Sequence, residues 1–168
     1  VMASGCLPHV FKAVEIDGVP YWDGGYMGNP VLFPFFYQTD TPDILLVQIN
    51  PVERMETPKT ARQIADRVNE ITFNASLIRE FRAIEFVSRL IDEGRLPEDR
   101  YRRIRLHRIA VPHEVVVLSS SSKLNSEPAF LEHLHGMGME AADAWLAADA
   151  GKVGHEAGID LKDEIAYG

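Results

Sequence analysis

Asp23 closes an aromatic run, Tyr21-Trp22, and Gly24 and Gly25 follow it at once. A carboxylate at the end of a strand stands at the sheet edge where α/β folds keep their ligands. The two glycines permit a tight turn and let the backbone approach a substrate closely. An aspartate held there can accept the proton of a hydroxyl nucleophile and pass it to a leaving group. It can equally do no more than cap its own turn, and the tripeptide alone does not separate the two roles. Asn29-Pro30, a few residues on, has the chemistry of a helix start: Asn caps unpaired N–H groups and Pro is preorganised at the first helical position.

Other reactive residues are scattered. Cys6 and His9 could form a thiol–imidazole pair, or Cys6 could be a small buried apolar residue. The histidines are His9, His107, His113, His133, His135 and His155. His133 and His135 are two apart, which on a helix turns them to different faces and not to one metal. A single cysteine also excludes a multi-cysteine zinc site. No metal and no cofactor are expected. Arg100, Arg102, Arg103, Arg105 and Arg108 crowd one short stretch. Such a cluster can meet an anionic head group, a membrane surface or RNA, or it can be a solvated strand edge that offsets nearby acids.

The elements that must position these groups follow from pattern. Residues 10–16 and 19–22 are short apolar runs around Asp17-Gly18, the dipeptide that favours a hairpin turn. A short helix is expected over residues 30–38. Residues 43–50 read as a strand whose unbroken apolar block predicts burial on both faces, as in a parallel sheet covered by helices. Residues 60–93 carry apolar positions every three or four residues, a helix of about 51 Å if unbroken. Thr72-Phe73-Asn74 is its expected bend and Gly94 its C-terminal cap. One helical turn is expected over 97–103, then strands over 104–111 and 115–118, then a loop of serines at 119–122. Asn125-Ser126-Glu127-Pro128 opens a helix expected to end near Gly136, with another from Met139 to Ala150. The Gly-punctuated residues 151–168 read as a loosely packed tail. Strands alternating with helices make the fold class α/β.

Composition narrows the choice. The chain has 168 residues, 46% hydrophobic and 25% charged, which is globular usage and excludes a disordered tail, a collagen repeat and a coiled coil. With 17 Lys+Arg against 25 Asp+Glu the net charge is −8, the wrong sign for a protein that lives on phosphate backbones, so no nucleic-acid partner is expected. No run approaches the ~18 apolar residues of a membrane span, so any membrane contact is peripheral at most. No charged segment with an apolar core precedes Ala3, so no signal peptide is read. The lone cysteine gives no disulfide. The opening Val-Met-Ala-Ser-Gly-Cys-Leu-Pro reads as chain already under way, which predicts one portion of a longer protein.

Several of these features recur in a fixed order. Ala3-Ser4-Gly5-Cys6-Leu7-Pro8, Phe11, Ile16-Asp17-Gly18, Tyr21-Trp22-Asp23-Gly24-Gly25 and Asn29-Pro30 together resemble the second half of a patatin-like phospholipase domain. Residues 103–109, 122–125 and 141–146 resemble, less specifically, the C-terminal extension of a bacterial patatin-like group. The resemblance implies a three-layer α/β/α fold and an acyl hydrolase with a Ser–Asp dyad and no catalytic histidine. It makes Asp23 the dyad base, with Gly24, Gly25 and Asn29 supporting its turn. It also divides the chain into residues 1–95 in the hydrolase domain, 96–150 in an extension packed on it, and 151–168 in the tail. Together with the lack of a disulfide, it makes a cytoplasmic setting the expectation.

One half of that site is missing. The family's nucleophile sits in a Gly-x-Ser-x-Gly elbow, and no serine here has glycines at both flanking positions. No glycine-rich oxyanion loop lies upstream of Asp23 either. The expectation is therefore a portion of a serine acyl hydrolase that supplies the Asp and is inactive alone. Its partners would be a lipid or other ester substrate and the N-terminal half of the same protein, or a second copy of itself. The alternative is a non-catalytic interaction module derived from a hydrolase fold.

Overall fold

The computed structural model describes residues 1–8, 10–52, 56–110, 122 and 125–166. Their fold is mixed α/β. Strands β1 (Val14–Ile16) and β2 (Val19–Tyr21) form an antiparallel hairpin in which Ile16 faces Val19 and Val14 faces Tyr21. Asp17 and Gly18 both take positive φ, 52° and 78°, as the expected two-residue turn requires. A single 3₁₀ turn over Gly24–Tyr26 follows.

Helix α1 (Phe33–Gln38) starts three residues later than Asn29-Pro30 suggested. Its cap is tertiary and not local: the Leu32 N–H donates to Glu80 Oε1 at 3.2 Å, and Pro34 supplies the fixed φ of the first turn. Strand β3 (Asp43–Gln48) then pairs in parallel with β4 (Arg105–Ala110), Asp43 opposite Arg105 and Leu46 opposite Arg108. Between them runs α2 (Ala61–Asp92), about 48 Å of unbroken helix. It opens on a reciprocal capping box, Thr60 with Gln63. It closes on a Schellman motif: Gly94 at φ 67°, its N–H on Ile91 O and the Arg95 N–H on Leu90 O.

The expected bend at residues 72–74 is absent. Thr72 Oγ1 donates back to Val68 O at 2.8 Å, and the Asn74 amide reaches out to Pro51 O at 2.6 Å. The Thr72 hydroxyl shares the Val68 carbonyl with the helix, a back-bond that can bend a helix, yet the helix runs on unbroken here; the Asn74 amide leaves the helix backbone alone. The expected break at Gly136 is absent too. Helix α3 (Pro128–Ala148) passes straight through Gly136 and Gly138, which cost only about 1 kcal/mol each among good helix formers. Residues 97–101 form a hydrogen-bonded turn. The expected strand at 115–118 and the serines 119–121 lie outside the described residues.

The core sits between the β3–β4 sheet and α2, and joins Leu32, Leu46, Leu77, Ile78, Phe81, Ile84 and Leu106. Two corrections follow. Residues 151–166 are not a loose tail: Ile159, Leu161 and Ile165 pack on that core, and α4 (Leu161–Ala166) lies against α2. Nor does residue 95 end a packing unit, because β4 completes the sheet begun by β3. The second expectation for β3, burial on both faces, also fails. Its inner residues face α2, but Leu45 is 44% and Val47 65% exposed.

Candidate functional site

Asp23 lies two residues past β2, and the expected sheet-edge position fails, because the hairpin is a two-stranded sheet separate from β3–β4; Asp23 instead caps the 3₁₀ turn. Its Oδ1 accepts the Gly25 N–H at 2.8 Å, and its own N–H donates to Cys6 O at 2.9 Å. The side chain is half-buried, with no ion pair among the described residues. The turn-capping role is therefore real, and it leaves the carboxylate otherwise uncommitted among those residues. Gly25 sits in a tight spot. A Cβ there would lie 3.1 Å from Asp23 Oδ1 and 3.3 Å from Phe73 Cε1 on α2. Gly25→Ala should therefore push the carboxylate off its perch and lower the unfolding midpoint, a shift that differential scanning calorimetry would read. A Gly24→Ala control, with open space around its Cβ position, should do less.

Asn29 supports the loop by its backbone and not as a helix cap. Its N–H donates to Ser76 Oγ at 2.8 Å, and the Ser76 hydroxyl lies 2.9 Å from Asn29 O and 3.1 Å from Phe73 O. Ser76 thus fastens the motif loop to α2, an engagement that sequence spacing did not reveal. A cleft of about 370 Å³ opens beside it, lined by Met27, Gly28, Val31, Ser76 and Arg79, with Asp23 outside that lining. Cys6 is buried and its thiol donates to Lys12 O at 3.0 Å. That is the small-buried-residue role; its possible partner His9 lies outside the described residues.

No family model, no curated protein and no solved structure matches this chain.

The densest polar cluster is elsewhere, where β3 and β4 begin. Asp43 receives Arg105 in a fork, Nε to Oδ1 at 2.9 Å and Nη2 to Oδ2 at 2.6 Å. His107 Nε2 adds a bond to Oδ1 at 2.9 Å and the Gly154 N–H another at 3.1 Å. The Arg105 bonds, chiefly, hold the Asp43 carboxyl well below the usual aspartate range. Burial opposes them, and the His107 and Gly154 bonds assist. The arginine is in turn held more firmly protonated by Asp43.

An ionised carboxylate only accepts, so His107 Nε2 carries a proton. Its Nδ1 is buried without a hydrogen-bond partner. Gly158 lies flush on the ring; a Cβ there would sit 3.0 Å from Nδ1. Trp145 covers the ring edge-on, centroids 6.3 Å apart. An Asp–His pair can serve a nucleophile, but this one presents no open nitrogen. Its chemistry is structural: it pins β3, β4 and the C-terminal segment together. Sequence spacing could not show this, because only the parallel register brings residues 43, 105, 107 and 154 to one point.

The remaining arginines divide. Arg103 pairs with Asp92 at 2.8 Å and Glu98 at 2.7 Å, and Arg108 with Glu164 at 2.6 Å. Arg102 Nη1 donates to Thr39 O at 2.7 Å. Most of the cluster therefore offsets acids. His133, His135 and His155 are exposed, and the described residues contain no group of three or more His, Cys, Asp or Glu arranged to hold a metal ion. No helix among the described residues is long and apolar enough to cross a membrane.

Proposed function

We propose that this chain is the aspartate-bearing portion of a serine acyl hydrolase of the patatin-like type, acting on a lipid or other carboxylic ester. The observation that carries this reading is the Asp23 carboxylate, fixed after the hairpin by the Gly25 N–H and engaged in no ion pair among the described residues. Asp23 takes the proton of a serine hydroxyl as that oxygen attacks the ester carbonyl. It returns the proton to the departing alkoxide, and the same exchange with water then releases the acid. Histidine takes no part. The serine and the oxyanion donors belong to another stretch of polypeptide, which contributes the larger share of the rate.

The finer architecture is part of the same proposal: a three-layer α/β/α sheet to which β3 and β4 belong. The bare outer face of β3 favours it, since parallel sheets are ordinarily covered on both faces. The 168 residues alone should not hydrolyse a nitrophenyl ester above the buffer rate. The coding sequence upstream of Val1 should contain a Gly-x-Ser-x-Gly segment. Turnover by the isolated chain that a serine-directed phosphonate blocks would overturn the reading, as would an upstream frame with no such segment.

A further inference from the structure

We propose that the groove between α1 and α2 binds an amphiphile made of an alkyl chain and an anionic head group, with Arg100 and Arg102 holding the head. The groove has a volume of about 360 Å³, within the range of small-molecule sites, about 300–1,000 Å³. Much of its lining is apolar, with Phe33 and Phe36 from α1, Ala83, Ile84 and Val87 from α2, and Ile104, and Glu80 of α2 is part of the lining too. Arg100, Tyr101 and Arg102 stand in its lining and are solvent-exposed.

Charge is distributed along the groove in a way that fits one orientation of ligand. Arg103, Arg105 and Arg108 are neutralised by acids, so the cationic character of the segment is left to Arg100 and Arg102. Arg102 is anchored by Thr39 O, just past the C-terminal end of α1. The opposing carboxylate, Glu80, sits at the other end of α1, where Leu32 N–H engages it. The Glu80 and Arg102 contacts thus fall at opposite ends of α1, a helix about 9 Å long. Long arginine stems also lie well along apolar surface while their heads reach a ligand's charge. A net charge of −8 gives the molecule no general attraction for anions, so any preference for an anionic head must come from these two side chains.

This site does not rest on the hydrolase reading. Isothermal titration of the chain below micellar concentrations, with decanoate, decyl phosphate, decanol and inorganic phosphate, tests it. Both anionic amphiphiles should bind saturably, decanol about tenfold more weakly, and inorganic phosphate not at all. Arg100→Glu, whose native side chain makes no ion pair among the described residues, should weaken the anionic ligands about tenfold and leave decanol unchanged. Ala83→Phe should block all three alkyl ligands by filling the groove. Asp23→Asn should leave binding intact, so that failure here and failure of the hydrolase proposal are read separately. Equal affinity for decanol and the two anions would overturn the proposal, as would binding indifferent to Arg100→Glu or to Ala83→Phe.

Discussion

Asp43→Ala should destabilise the fold by about 1–3 kcal/mol, the cost of leaving the donors around a partly buried carboxylate without their acceptor. Domains of this size hold only ~5–15 kcal/mol in total, so the variant should be substantially unfolded on modest heating. The side chain of Asp43 is 12% exposed and that of Arg105 26%, so water replaces the lost bonds only in part. His107 is worse placed, at 1% exposed with Nδ1 already unpartnered. The variant would strand both nitrogens. Acid should act through the same group. A carboxyl whose folded pKa is depressed contributes stability that is complete above the ordinary aspartate value of about 3.9 and is lost as pH falls from there toward the folded value. Urea unfolding at neutral pH and near pH 3 reads both effects. The wild-type chain should lose stability steeply in acid, and Asp43→Asn should start lower and fall less. A neutral-pH stability unchanged in Asp43→Ala would show that the cluster holds nothing together.

Local chemistry was the part of this fold legible in the sequence. Asp17-Gly18 announced the hairpin because both of its turn residues tolerate positive φ, and the structure shows both there. The apolar spacing over residues 60–93 and the glycine at 94 bounded α2 to within a residue or so. Errors arose wherever a distant partner decided the outcome. Asn29 gave way as a helix cap because Glu80, far along the chain, reaches the Leu32 N–H instead. Thr72-Phe73-Asn74 stayed helical because Pro51 offers Asn74 an acceptor. The C-terminal residues looked polar and glycine-rich, yet Gly158 allows the close approach to His107 that seats Ile159 and Leu161 on the core. At the candidate site Asp23 and Gly25 were readable as a pair. Ser76, which ties the loop to α2 across 47 residues, was not.

If the proposed hydrolase reading holds, Asp23→Asn in the chain joined to a serine-bearing half has the second large expected effect, and it falls on turnover instead of folding. Asparagine keeps an Oδ1 that accepts the Gly25 N–H, so the loop and the unfolding midpoint should be preserved. What the amide cannot do is take a proton. General-base assistance of this kind contributes about 100–10,000-fold, and the loss should appear in kcat, because no substrate contact is removed. Asp43→Asn is the contrasting variant: it should cost stability and, while folded, leave the turnover per active molecule close to wild type.

The most direct measurement is kcat for a short-chain nitrophenyl ester, taken on the chain joined to the proposed serine-bearing half, with Asp23 and with Asp23→Asn side by side. A fall of at least about 100-fold with an unchanged unfolding midpoint is the predicted result. Wild-type turnover in the folded Asp23→Asn protein would contradict it and leave Asp23 as the cap of a turn.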